Sequence, residues 1–127
     1  MNEPITLTIP ADPQMLLVAR MALSGYCCQL GADVETLDDV RTLSDEACYC
    51  LMHQPCGVSR LIITASPDGA RARIRFEAEL CPAPPCASPH DPEIARAILA
   101  SLAADVAMQQ EKGAIRAIDV TMHLAPL

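Results

Sequence analysis

The chain has 127 residues, 51% of them hydrophobic, which is enough for one domain around one core and too few for two. Sixteen acidic residues against nine basic ones give a net charge of −7, and the aromatic residues are Phe76, Tyr26 and Tyr49 alone. Such a surface repels phosphate backbones and offers no stacking platform for single strands, so direct nucleic-acid binding is excluded. No segment approaches the roughly eighteen uninterrupted apolar residues of a membrane span. Met1-Asn2-Glu3-Pro4 also lacks the basic start and apolar run of a secretory signal. The expectation is a single cytoplasmic domain over residues 1–127 with no membrane partner. An acidic field favours a basic or mixed protein partner.

Ile5-Thr6-Leu7-Thr8-Ile9 alternates apolar and polar residues, the pattern of a half-buried strand that Pro10 ends. Asp12 followed by Pro13 reads as a helix start, an acceptor for free amides and then a residue with no N–H to satisfy. Met15, Leu16, Ala19, Ala22 and Leu23 recur at helical spacing, and Gly31 is the expected stop. A second helix is expected from about Asp33 to Thr36 onward, with Thr36 and Asp39 capping its first turn. Its buried stripe is Leu37, Val40, Leu43, Ala47 and Leu51, and Pro55 and Gly57 end it. A β-hairpin follows, Arg60–Ala65 and Ala70–Glu77 around the turn sequence Ser66-Pro67-Asp68-Gly69. Residues 80–90 hold four prolines and form a stiff, extended link. Asp91-Pro92-Glu93 starts a third helix, with Ile94, Ile98, Leu102 and Val106 at four-residue steps. After Gly113, Ile118, Val120, Met122 and Leu124 alternate with polar residues in a last strand. Strand, helix, helix, hairpin, helix, strand implies an α+β two-layer sandwich, a mixed sheet with helices on one face.

Ile9-Pro10-Ala11, Arg20, Leu23-Ser24-Gly25, Gly31, Asp38-Asp39-Val40 and Asp45-Glu46-Ala47-Cys48 resemble the N-terminal half of the anti-sigma-factor serine kinases. These kinases belong to the ATPase superfamily of the histidine kinases and gyrase. The resemblance runs without a gap from about residue 9 to 54 and more loosely beyond. It implies the histidine-kinase-like ATPase fold, here shortened, with the lid over ATP replaced by the Pro-rich link. It also implies a site with three parts: a Glu-Ala-x-x-Asn helix whose Glu serves the nucleophile and whose Asn holds Mg²⁺, an Asp-x-Gly-x-Gly loop that reads adenine, and a glycine-rich helix start that binds phosphate.

This chain meets one of those demands. Glu46-Ala47 matches, so Glu46 is the catalytic candidate if the protein is active. The Asn position is Cys50, and a neutral thiol is a poor ligand for Mg²⁺. The adenine loop is replaced by Phe76-Glu77-Ala78-Glu79-Leu80-Cys81-Pro82, leaving Glu77 and Glu79 as its only acids. The second glycine box falls at Glu93-Ile94-Ala95-Arg96, where Glu93 would face phosphate with a negative charge. Phosphoryl transfer rests on positioning and charge neutralisation, and nearly all the parts that supply them are missing. The expectation is a regulatory protein-binding domain with no cofactor, ATP and Mg²⁺ at most weakly bound, and no kinase activity. The alternative is an active ATP-dependent serine/threonine kinase with Glu46 as base.

The resemblance further implies contact with a sigma factor or its antagonist through the first helix, where Arg20 is the partner-binding candidate. It also makes a homodimer plausible, built on the last strand or on Ile5–Ile9. Read without the family, Arg20 is a solvated side chain covering the helix. The seven cysteines, an odd number, are expected to be reduced. Cys48, Cys50, His53, Cys56, Cys81, Cys86 and His90 include zinc-type ligands. Cys48 and Cys50 lie about 200° apart on a helix, however, and no metal site is expected. Cys81 and Cys86, beside prolines, are the pair most open to oxidation, which leaves a metal- or redox-responsive protein as a further alternative. His53 and His123 read as ordinary surface or edge residues, and no Gly-x-Ser-x-Gly elbow supports a hydrolase triad.

Overall fold

The computed structural model describes residues 3–84 and 86–124. Met1 and Asn2 of the chain start, Pro85 of the link and residues 125–127 lie outside the described residues. Strand β1 (Ile5–Pro10) leads to Asp12, whose carboxylate accepts from the Gln14 amide at 2.9 Å and opens a short 3-10 turn, Pro13–Met15. Helix α1 (Leu16–Gln29) continues from that turn. Helix α2 (Val34–Met52) is capped by Asp33, which accepts from the Thr36 amide at 2.9 Å. The cap expected from Thr36 and Asp39 therefore lies three residues earlier, because Asp33 is the last residue with extended backbone before the helix. Thr36, through its side chain and its amide, holds the Asp33 carboxyl below the usual carboxylate range.

The hairpin is longer than its apolar runs suggest: β2 is Gly57–Asp68 and β3 is Arg71–Cys81. After the link, α3 spans Pro92–Leu102. Val106, expected to extend that helix, lies instead in a fifth strand, β4 (Asp105–Glu111), which turns back into β5 (Ala114–His123). The turn rests on Lys112 and Gly113, both with positive φ (52° and 81°), the conformation that two-residue hairpin loops require.

The sheet order is β1-β2-β3-β5-β4. Its two-layer α+β class and its one-sided helices are as expected, but the sheet is antiparallel in every pairing rather than mixed. The reason is β4. From β3 the chain crosses through the link and α3 to the far edge, lays down β4, and returns as β5 into the gap. The last strand is therefore interior, paired on both sides, and the edges are β1 and β4. A dimer contact on the last strand would have to displace β4, so of the two expected dimer strands only β1 keeps an open edge.

The register aligns apolar residues in rows across the sheet. Leu7, Ile63, Phe76, Ile118 and Met108 form one row, and Ile5, Ala65, Ile74, Val120 and Val106 the next. The helices cover this face, with α2 packed between α1 and α3 and against β2, β3 and β5. Val40, Leu43, Ala47 and Leu51 of α2 are fully buried, as their spacing predicts. The intervening row, Thr6, Thr64, Arg75, Asp119 and Ala107, faces away from the helices. There Arg75 donates to Asp119 at 2.6 Å, to Glu77 at 2.9 Å and to Gln109 at 3.0 Å.

Candidate functional site at the end of the second helix

The C-terminal half of α2 carries Glu46, Tyr49, Cys50 and, just past its end, His53 and Gln54. The proline-rich link folds onto this end. The Cys86 amide donates to the Gln54 carbonyl (3.2 Å), and the His90 amide to the His53 carbonyl (2.8 Å). The His90 ring reaches back along the helix, and its Nε2–H donates to Glu46 Oε1 at 2.6 Å. Both side chains are mostly covered, 20% and 17% exposed, so this pair is shielded from water far more than a surface ion pair. Tyr49 stacks on the His53 ring at 3.8 Å and meets the His90 ring edge-on at 5.2 Å. His53 Nδ1–H donates to the Tyr49 carbonyl at 2.8 Å and closes the helix end.

Glu46, readable from the sequence as a helix-surface acid, is thus the anchor of a clasp on the link. No spacing rule could have found its partner, because Glu46 and His90 are 44 residues apart and meet only when the link docks.

Cys50 is 1% exposed. Burial first, and then the charges of Glu46 and Asp91, push its thiol up to about 11. It is therefore a protonated thiol at neutral pH, neither a nucleophile nor a ligand for a hard cation. Asp91 caps α3, its carboxylate accepting from the Glu93 amide at 2.9 Å, and Pro92 at the first helical position has no N–H to offer. The start of α3, where the resemblance expects phosphate, already holds a carboxylate.

Beneath the link lies a cavity of about 250 Å³ lined by Cys50, Gln54, Pro89, His90, Asp91 and Ile115 among others. It is smaller than the roughly 300–1,000 Å³ of ordinary ligand sites. Gln54 closes its floor. Its amide nitrogen donates to the carbonyls of Leu51 (3.1 Å) and Ile115 (2.9 Å), and its oxygen accepts from the Ile115 amide (2.7 Å).

The remaining sequence candidates are placed elsewhere. Glu77 and Glu79 lie on the sheet face away from the helices, paired with Arg75 (2.9 Å) and Arg60 (3.1 Å) respectively. They do not converge with Glu46 and Cys50. Arg20 bridges α1 to α2 through Asp45 at 3.2 Å and is 36% exposed. Around it α1 exposes Leu17 (56%), Val18 (42%) and Met21 (63%), an apolar patch that sequence periodicity had not singled out. Cys81 proves to be the last residue of β3 rather than part of the link. Among the described residues, no three His, Cys, Asp or Glu side chains gather as a metal-binding group. Nor, among the described residues, is any helix long and apolar enough to cross a membrane.

This architecture, a five-stranded antiparallel sheet under three helices, is similar to a solved structure, the RsbU and RsbW domains of Rv1364c from Mycobacterium tuberculosis, with a TM-score of 0.69. The likeness covers 97% of this chain and 32% of that one at 14% sequence identity, so it is a likeness of fold. No family model matches the sequence, and no curated protein does.

Proposed function

We propose that the chain is a regulatory protein-binding domain of the anti-sigma-factor type, one whose nucleotide cleft is closed by its own proline-rich link. The observation that carries the binding role is the uncovered apolar surface of α1. Leu17 and Met21 stand one helical turn apart, both more than half exposed, with Arg20 between them. A helix whose inner face is already buried in the core gains nothing from apolar residues on its outer face unless another molecule covers them. Arg20, held by Asp45, supplies a charged rim to that patch. The sequence resemblance and the likeness of fold support a sigma factor or its antagonist as the partner.

Three features support the absence of kinase activity. The carboxylate of Glu46 is engaged by His90 rather than free to act as a base. Cys50 stands at the magnesium position as a protonated thiol. Asp91 fills the helix start that would take phosphate. Titration calorimetry with Mg·ATP separates this reading from the kinase. Binding tighter than about 1 mM, worth about 4 kcal/mol, overturns the closed cleft. The binding role is tested with purified sigma factors and antagonist proteins and with the variants Leu17→Asp and Met21→Asp. Complexes that form equally well with both variants overturn α1 as the contact surface.

A further inference from the structure

We propose that the free edge of β4 is a second docking surface, one that takes up an extended peptide segment of a partner protein as a further strand of the sheet. The segment that fits is apolar beside α3 and basic at the Asp105 end of β4. The inference is independent of the α1 and nucleotide readings above, because α2 lies between α1 and α3 and β4 is the edge on the α3 side.

An edge strand presents a row of unpaired N–H and C=O groups, and folded proteins ordinarily blunt it with proline, lysine or a covering element. The other edge, β1, ends in Pro10. β4 pairs only with β5, and Val106-Ala107-Met108-Gln109-Gln110 along its middle holds neither charge nor proline. α3 does not close over it either. Val120 and Ile118, the β5 partners of Val106 and Met108, are 2% and 0% exposed, whereas Val106 and Met108 stay half-covered on the same side of the sheet. The reason is the flank of α3, where Ala100 and then Ala103 and Ala104 are too small to reach the strand. Between them and Val106 runs a groove of about 260 Å³. Strand addition draws affinity from the main chain of the edge and specificity from such a recess for alternate side chains.

Charge decides which strand fits. Asp105 lines the groove, and Arg96, which lines it too, faces Glu93 at 3.9 Å. Ala103 and Ala104 also border a neighbouring cavity of about 370 Å³ that carries Asp33, Glu35 and Asp39. At the other end of β4, Glu111 has Arg116 as its counter-charge at 3.4 Å. Acid without a matching base therefore gathers at the Asp105 end, which selects a basic residue there and so sets the direction of the incoming strand. A second copy of this chain fits badly. Two β4 strands paired antiparallel about Met108 would set Asp105 against Glu111 of the other copy at both ends, and like charges directly opposite are destabilising.

The test selects a library of random peptides on the immobilised full chain and measures the enriched peptides by titration calorimetry. The expected sequences alternate apolar residues and carry lysine or arginine at one end. Adding such a peptide should slow hydrogen exchange at the β4 amides and leave those of α1 unchanged. Alternate residues of a paired strand aim their N–H groups at opposite sides. Methylating the peptide nitrogens in one phase should therefore abolish binding, and in the other phase spare it. Ala100→Trp, at an exposed position on the groove wall, should weaken binding about tenfold or more by filling the groove. Asp105→Asn should weaken it about 2- to 5-fold. The methylated peptides probe the unaltered protein, so they decide the matter even where a variant fails to fold. No enrichment, indifference to which nitrogens are methylated, or protection elsewhere than β4 overturns the proposal. So does a concentration-dependent dimer of the chain alone with its β4 amides protected, which makes a second copy the occupant.

Discussion

Gln54 ties the end of α2 to the sheet, and replacing it with methionine tests how much that tie contributes. The β3–β5 ladder ends at Glu77 and Ala117, so the backbone of Ile115, two residues further along, has no β3 partner. The Gln54 carboxamide takes that place, accepting from the Ile115 N–H and donating to its carbonyl while a second N–H reaches Leu51. The residue is 3% exposed, and methionine matches its volume, so packing changes little. Three hydrogen bonds at a net ~1 kcal/mol each are lost. Two backbone groups at Ile115 are also orphaned, each costing about 1–3 kcal/mol if it stays dry. The adjacent 250 Å³ cavity is large enough to admit water, which holds the sum near the lower figure. The expected loss is about 3 kcal/mol, or roughly 10 °C in Tm for a chain of this length. Urea unfolding followed by far-UV circular dichroism measures it. Gln54→Glu is the control: it keeps an acceptor for the Ile115 amide but sets a carboxylate against two carbonyls. It should match the methionine variant where the carboxylate is ionised and recover, relative to the parent protein, as pH falls towards about 4.3, because the site raises the folded acid's pKa above that unfolded value and the acid regains a donor. A Gln54→Met protein within 0.5 kcal/mol of the parent at an unchanged urea slope would refute the reasoning.

Other consequences are as direct. Gly57→Ala would place a Cβ 2.6 Å from the Ala83 carbonyl and 2.7 Å from that of Cys81, both backbone atoms. A loss of about 1–3 kcal/mol is expected, with faster hydrogen exchange at the Cys86 and His90 amides as the link lifts. Lys112→Asn should stabilise the β4–β5 hairpin by about 0.5–1 kcal/mol, since asparagine accepts the positive φ of 52° more readily than lysine, and thermal unfolding reads it. The buried thiols set the alkaline limit. Cys27 and Cys50 ionise only near 11 and Cys48 near 12 in the native state because burial disfavours the thiolate. In the unfolded chain they ionise near about 8.5. Above that value the unfolded state releases protons the native state keeps, so stability holds up to about pH 8.5 and declines as pH rises towards 11. Urea midpoints taken at intervals from pH 7 to about 10.5 should show that one-sided fall.

The fold class was legible because local patterns and global packing agree. The alternation in Ile5–Ile9 and in Ile118–Leu124, the stripe of α2 and the Asp-Pro starts before Gln14 and Glu93 each state which face is buried or where a helix begins. β4 was not legible. Asp105-Val-Ala-Met-Gln-Gln-Glu is a good helical composition, and Val106 continues the four-residue step of α3. Pairing with β5 overrides that preference, and the one local signal was Lys112-Gly113 placed two residues wide before an alternating run.

By itself the sequence determined the elements that rest on short-range physics: helix caps and apolar periodicity. Tertiary structure alone decided what meets what. Glu46 finds His90, and Gln54 completes a broken ladder at Ile115, only when the sheet, the helices and the link assemble. These partners are 44 and 61 residues apart, a separation over which no local propensity acts and which only the packing of the layers brings to contact distance.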